Sequence, residues 1–196
     1  MDPAYILLLI ANFLPASVFA AITWLYLDAL LLRFELKSFL KCLAFALLTS
    51  SFALNFASSL FQINFPIPSF WIQSIALYLM FASYIIDIHS KLQITTLLAI
   101  ALIFFLKTHA LLATQSFLVA VVILQLAYYS KHKDLIPLTT GFILMAIGEF
   151  FFYLDSRGIQ NLTYAANFSY IFSSVIFFYW LWQYLVIRFT KTSGVS

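Results

Sequence analysis

The chain has 196 residues, 64% of them hydrophobic and 9% charged, with a formal net charge of +3. Soluble domains carry about 25% charged residues, so this composition leaves too few polar side chains to cover a water-exposed surface. The ten Lys and Arg residues sit singly or in small groups beside apolar runs; that reads as membrane-edge anchoring and excludes a nucleic-acid partner. Cys42 is the single cysteine, which excludes an internal disulfide and a cysteine-based metal cluster.

Crossing about 30 Å of hydrocarbon takes roughly 20 apolar residues. Seven segments approach or meet that length, in order Ile6 to Leu32, Cys42 to Phe61, Phe70 to Ile88, Leu92 to Leu106, Ala110 to Tyr129, Leu135 to Leu154, and Tyr164 to Val186. They are continuously apolar and do not alternate, so they predict helices and not a barrel. Val18-Phe19-Ala20 has the small-residue spacing of a signal-peptidase site. No basic segment precedes it, however, and the apolar run continues to Leu32, so the first helix is expected to be retained. Pro15 can kink that helix. Pro66 and Pro68 block helix continuation between the second and third segments, and Asp155 to Asn161, with Gly158, forms another connection.

Charge distribution fixes the expected topology. The fourth segment is the shortest, and Lys107-Thr108-His109 must form a tight turn after it. Merging it with the fifth would leave Lys107 deep in lipid at a cost of about 2.5 kcal/mol or more. With seven crossings, Arg33, Lys37, Lys41, Lys91, Lys131, Lys133, Arg188 and Lys191 share one side, and only Lys107 and Arg157 lie on the other. The positive-inside rule then predicts one domain, an all-α polytopic bundle of seven transmembrane helices in the cell membrane, N-terminus outside and C-terminus cytoplasmic. Trp24, Tyr26, Tyr128, Tyr129, Trp180, Trp182 and Tyr184 fall toward inner ends, and Tyr5, Trp71, Tyr153 and Tyr164 toward outer ends, as interfacial belts.

Glu149 is the sharpest residue. It lies near the outer end of the sixth segment, where a carboxylate is costly unless it faces the bundle or is protonated. Gly141 and Gly148 lie on nearly one face of the same helix, so another helix should pack closely there. Asn12, Asn55, Gln73, Gln115, Asn167 and Ser169 lie at comparable outer depth. Two readings are open: an outward-facing pocket formed by Glu149, Asn12, Asn55, Gln73, Gln115 and Asn167 that binds a small ligand, cation or proton, or a hydrogen-bonded network that serves packing alone.

A second polar group lies at the inner edge. Asp28, Asp87, His89, His132 and Asp134 offer carboxylates and imidazoles that could hold a divalent metal, but Lys91, Lys131 and Lys133 are close enough in sequence to be plain ion-pair partners. A charged rim is the expectation, with no metal. His89, His109 and His132 all fall at predicted helix ends, so no helix pair offers bis-histidine haem ligation. The seventh segment has no lysine for a retinal Schiff base. No cofactor is expected. Asn161-Leu162-Thr163 fits a glycosylation acceptor, in a loop too close to the membrane to weigh much.

Three function classes compete: a sensor or receptor-like ligand-binding module acting through a membrane or cytoplasmic partner chain, an accessory subunit of a larger membrane complex, and a small-solute or ion transporter. The inner-edge cluster alone would support an enzyme, which ranks last. The topology is tested by tags on the two chain ends, probed in intact cells and after permeabilisation. The expected outcome is an N-terminal tag accessible from outside and a C-terminal tag accessible only after permeabilisation; both ends in one compartment would reduce the crossing number to an even one.

Overall fold

The computed structural model describes residues 3–63, 69–85, 109–159 and 162–193. Within them the chain is all-α. Helix α1 spans Pro3–Leu32, α2 Leu36–Phe61, α3 Ser69–Ile85, α4 His109–Ser130, α5 Ile136–Ser156 and α6 Leu162–Ser193, and a single 3-10 turn at Lys133–Leu135 leads into α5. The predicted segment Leu92 to Leu106 lies outside the described residues, so α4, α5 and α6 correspond to the fifth, sixth and seventh predicted segments.

Five helices (α1, α2, α4, α5 and α6) are long and apolar enough to cross a membrane, and α3 is apolar but shorter, at 17 residues. Large apolar side chains such as Phe13, Phe117, Phe150, Phe172 and Phe178 point outward and are exposed. In water they would form apolar patches of a size soluble monomers rarely carry. The chain is a membrane protein by both criteria. Helix α2 begins at Leu36 and not at the predicted Cys42, and α6 runs on to Ser193 past the predicted Val186. Backbone hydrogen bonding continues beyond the hydrocarbon edge, where a lysine stem can lie along the bundle. Lys41 does so, with Nζ 4.1 Å from the centre of the Tyr84 ring.

Each helix packs on two neighbours, in the order α1, α2, α3, α4, α5, α6 and back to α1, which closes a ring. One end of that ring gathers the starts of α1, α3, α4 and α6 and the ends of α2 and α5, because residues from all of these line one cavity. Hence α1–α2–α3 and α4–α5–α6 are two three-helix units of the same sense. The seams that join them, α3 on α4 and α6 on α1, are pairs of parallel helices, whereas every neighbouring pair within a unit is antiparallel.

Below the cavity the ring is filled with aromatic side chains. Phe19 of α1 lies 5.8 Å from both Phe45 and Phe52 of α2 and 5.1 Å from Phe177 of α6, and Phe177 lies 5.0 Å from Phe142 of α5. Phe19, Phe45, Phe142 and Phe177 are fully buried, with Leu48, Leu77, Met80 and Met145 around them. Two expected belt residues belong to this interior instead. Trp180 is buried, and Tyr26 stacks on Phe45 at 5.7 Å. Trp24, Tyr128, Tyr129 and Trp182 do face outward.

Helices α5 and α6 approach closely because α5 has glycines on that face, as the sequence implied. A Cβ at Gly141 would stand 2.6 Å from the Phe177 ring, and one at Gly148 would stand 3.2 Å from Tyr170 and 3.3 Å from the Ala166 carbonyl. The Ser173 hydroxyl donates to the Gly141 carbonyl at 2.8 Å across the same seam. Since Phe177 is wedged between Phe19 and Phe142, it cannot swing aside. Gly141→Ala is therefore expected to lower unfolding stability by about 1–3 kcal/mol through overpacking, less a helix-propensity gain of up to about 1 kcal/mol. Gly148→Ala should cost less. Unfolding midpoints of the two variants in detergent check the order, and equal midpoints would contradict it.

Candidate functional site

At the end of the ring where four helices start, the interior opens into a cavity of about 260 Å³. Every described helix contributes. Leu8, Ala11 and Asn12 come from α1, Phe52, Asn55, Ser58 and Ser59 from α2, and Ser69, Phe70 and Gln73 from α3; His109 and Leu112 come from α4, Glu149 and Phe152 from α5, and Asn167 and Tyr170 from α6. The six contributions sit within about three turns of one end of each helix, so the cavity lies toward one end of the ring and not at its middle.

Glu149 is the electrostatic centre of this cavity. Its side chain is only 2% exposed, and three donors from three other helices satisfy it. Gln73 Nε2 donates to Oε1 at 2.8 Å, the Tyr170 hydroxyl donates to the same Oε1, and His109 Nδ1 lies 2.6 Å from Oε2. A carboxylate only accepts, and all three partner atoms can carry a proton to donate, so the network is consistent with Nδ1 of His109 as the protonated nitrogen. Two of the donors are fully buried. The third is not: the His109 side chain is 46% exposed and rests beside Phe152, ring centres 5.4 Å apart. The bond between His109 and Glu149 is thus the one part of the network that water reaches.

The opposite wall is neutral and polar. Asn12 Nδ2 donates to the Leu8 carbonyl of its own helix at 2.9 Å, and Tyr5 donates to the Ser59 carbonyl at 3.0 Å, tying α1 to α2 at the rim. The side-chain amides of Asn55 and Asn167 have no hydrogen-bond partner among the described residues, although Asn167 is only 4% exposed. Buried polar groups are almost always satisfied, so an amide without a protein partner that faces a cavity is open to an occupant.

Of the expected pocket residues, the fold brings Glu149, Asn12, Asn55, Gln73 and Asn167 together on this cavity. Gln115 does not reach it. It lies one turn deeper on α4, below Leu112, where its Nε2 and Oε1 are both buried without a partner among the described residues, as is the Ser116 hydroxyl. Ser169 bonds back to the Ala165 carbonyl at 2.9 Å. Sequence reading missed His109 and Tyr170 as partners of Glu149. The sequence places His109 in the turn just before Ala110, outside the apolar segment, so it gives no sign of meeting a carboxylate inside the sixth segment. Tyr170 carried no signal among eleven tyrosines.

At the opposite end, Asp28 is exposed near the end of α1, and His132 Nδ1 lies 3.5 Å from Asp134 Oδ1 with both side chains exposed. Asp87 and His89 lie outside the described residues, as does Asn161. Among the described residues no three His, Cys, Asp or Glu side chains converge. The chain matches no protein-family model, no curated protein and no solved structure.

The network predicts an order of stabilities. Tyr170→Phe removes a buried donor from a carboxylate and is expected to cost about 1.5–3 kcal/mol. His109→Asn, at a half-exposed position, should cost less. Gln115→Leu removes a buried amide without partners and is expected to raise stability by about 1 kcal/mol or more. Chemical unfolding in a fixed detergent checks all three, and a destabilising Gln115→Leu would mean that the amide has a partner after all.

Proposed function

We propose that the chain is a multi-pass protein of the cell membrane that binds a small ligand in the Glu149 cavity from the outer face, and that it acts in a sensor-like way through a partner chain. The observation that carries this reading is the unpartnered Asn55 and Asn167 amides facing a cavity to which all six described helices contribute. An occupant there touches every helix at once, so it can bias their relative positions, which is what a ligand-driven module requires. The buried aromatic layer of Phe19, Phe45, Phe142 and Phe177 lies directly below; a closed floor favours binding over passage.

Seven crossings with the N-terminus outside belong to the same proposal. Gln73, near the start of α3, and His109, at the start of α4, both bond Glu149. The two helices therefore start at the same end of the ring, a relation that a seven-crossing topology accommodates. Arg33, Lys37, Lys41, Lys131 and Lys133 then lie at the edge away from the cavity, the cytoplasmic edge by the positive-inside rule.

One observation favours a transporter as the second reading. Parallel three-helix units with a site at their interface are a transporter arrangement, and the two units here have the same sense. Thiol labelling separates the readings. In a Cys42→Ser background, the thiol introduced by Ser58→Cys is expected to react with a membrane-impermeant maleimide in intact cells, while that introduced by Ser83→Cys, at a fully buried site, stays unmodified. Reaction of the Ser58→Cys thiol from both faces would favour transport. Reaction from the cytosolic face alone would overturn the orientation, and no reaction from either face would overturn the open cavity.

A further inference from the structure

Resting on the cavity reading above, the geometry points to the class of ligand: we infer that the Glu149 cavity binds a small protonated amine, whose ammonium group takes the place of His109 on Glu149 Oε2.

The first part of the argument is charge. Glu149 faces the cavity, and among the described residues no lysine or arginine lines it. Arg157, at the same end of the ring, is engaged elsewhere, 5.2 Å from the centre of the Tyr153 ring. Among the described residues that line the cavity, His109 is the one group that can carry a positive charge to the carboxylate. An anion would meet Glu149 with no counter-charge beyond that imidazole, and in a bundle surrounded by lipid such a charge is costly. A cation of small size meets the opposite situation.

The second part is the lining. Phe52, Phe70, Phe152 and Tyr170 supply four aromatic rings, and Asn12, Asn55 and Asn167 supply amide oxygens. Ring faces attract ammonium groups, and amide oxygens accept from N–H donors. A carboxylate, aromatic rings and amide oxygens around one small space are the chemistry that recognises a protonated amine. A water's share of liquid volume is about 30 Å³, so a cavity of about 260 Å³ holds a compact amine of the size of benzylamine.

The third part is how Glu149 is held. Its two Oε1 donors, Gln73 and Tyr170, are buried and fixed by α3 and α6, whereas the Oε2 partner is half-exposed at the first residue of α4. Only His109 can leave without stranding a buried donor. Among the described residues, the groups that line the cavity with Glu149 include the Gln73 amide from α3, the Tyr170 phenol and Asn167 amide from α6, the amides of Asn12 and Asn55 from α1 and α2, Phe152 from α5 itself, and His109 from α4. Of these, imidazole is the one that changes charge between about pH 5 and 8. A protonated His109 competes with the amine for Oε2, so amine binding strengthens as pH rises through that window.

Three probes of one shape test the inference on the purified full chain in lipid nanodiscs: benzylamine, benzyl alcohol and benzoate, followed by calorimetry and thermal shift. The expected result is binding of benzylamine at least about tenfold tighter than benzyl alcohol, with benzoate weakest. Glu149→Gln should remove the preference, bringing benzylamine to the affinity that the alcohol has for the same variant. Should that variant fail to fold, His109→Asn carries the test: benzylamine affinity is expected to rise about threefold or more at pH 6, and its dependence on pH to flatten. Benzyl alcohol binding as tightly as benzylamine would overturn the amine assignment while leaving a small-ligand cavity intact. A pH dependence unchanged in His109→Asn would overturn the exchange at Oε2. Binding of none of the three probes would overturn the ligand class, and the Ser58→Cys labelling separately decides whether the cavity is open at all.

Discussion

A carboxylate inside a helix bundle in lipid is tolerable only where donors surround it, and Glu149 draws its donors from three helices other than its own. That one side chain therefore fixes α3, α4 and α6 against α5 at the same depth. Removing one partner of a buried charge is far more costly than the pair is worth, so the network constrains geometry more than it adds stability. The close α5–α6 seam serves the same end. With Gly148 facing Ala166 and Tyr170, the helices come near enough for the Tyr170 hydroxyl to reach the carboxylate next to that glycine.

The same constraint explains why the cavity is polar on one side and aromatic beneath. Tyr170 takes part in both regions. Its hydroxyl is on Glu149, and its ring lies 5.4 Å from Phe52 and 6.1 Å from Phe152. Phe52 in turn touches Phe19, and Phe19 touches Phe177. A single contact chain thus runs from the carboxylate into the buried aromatic layer, and a densely packed layer transmits small displacements because it does not deform continuously.

Much of the fold was legible in the sequence for a simple reason. In hydrocarbon the backbone must satisfy itself, so apolar run length predicts helices directly, and six of the seven predicted segments fall on α1 to α6. Segment ends were less legible, because Lys37 and Lys41 stop an apolar run but do not stop a helix. The polar cluster around Glu149 was legible from depth alone, since Asn12, Asn55, Gln73 and Asn167 share its level. Rotation about each helix axis was not. Gln115 sits at a plausible level yet lies below Leu112, and His109, in the turn before the fifth segment, meets Glu149 only through the packing of α4 on α5. Depth comes from counting residues, but facing comes from packing, and apolar positions all around these helices leave no stripe to read it from.

The exposure of His109 gives the network its direction. A ligand shifts a conformational equilibrium only by its differential affinity for the two states, and a fully buried carboxylate with three buried donors would offer an incoming group nothing to exchange. Here two donors are locked in the bundle and the third stands at the rim on the first residue of α4. Exchange at Oε2 would release α4 from α5 at that end while α3 and α6 stay tied through Gln73 and Tyr170. The helix freed by an occupant is then the one whose opposite end leads through Lys131 and the 3-10 turn at Lys133–Leu135 into α5. Helix α4 thus joins the cavity at one end of the ring to the basic connection at the other.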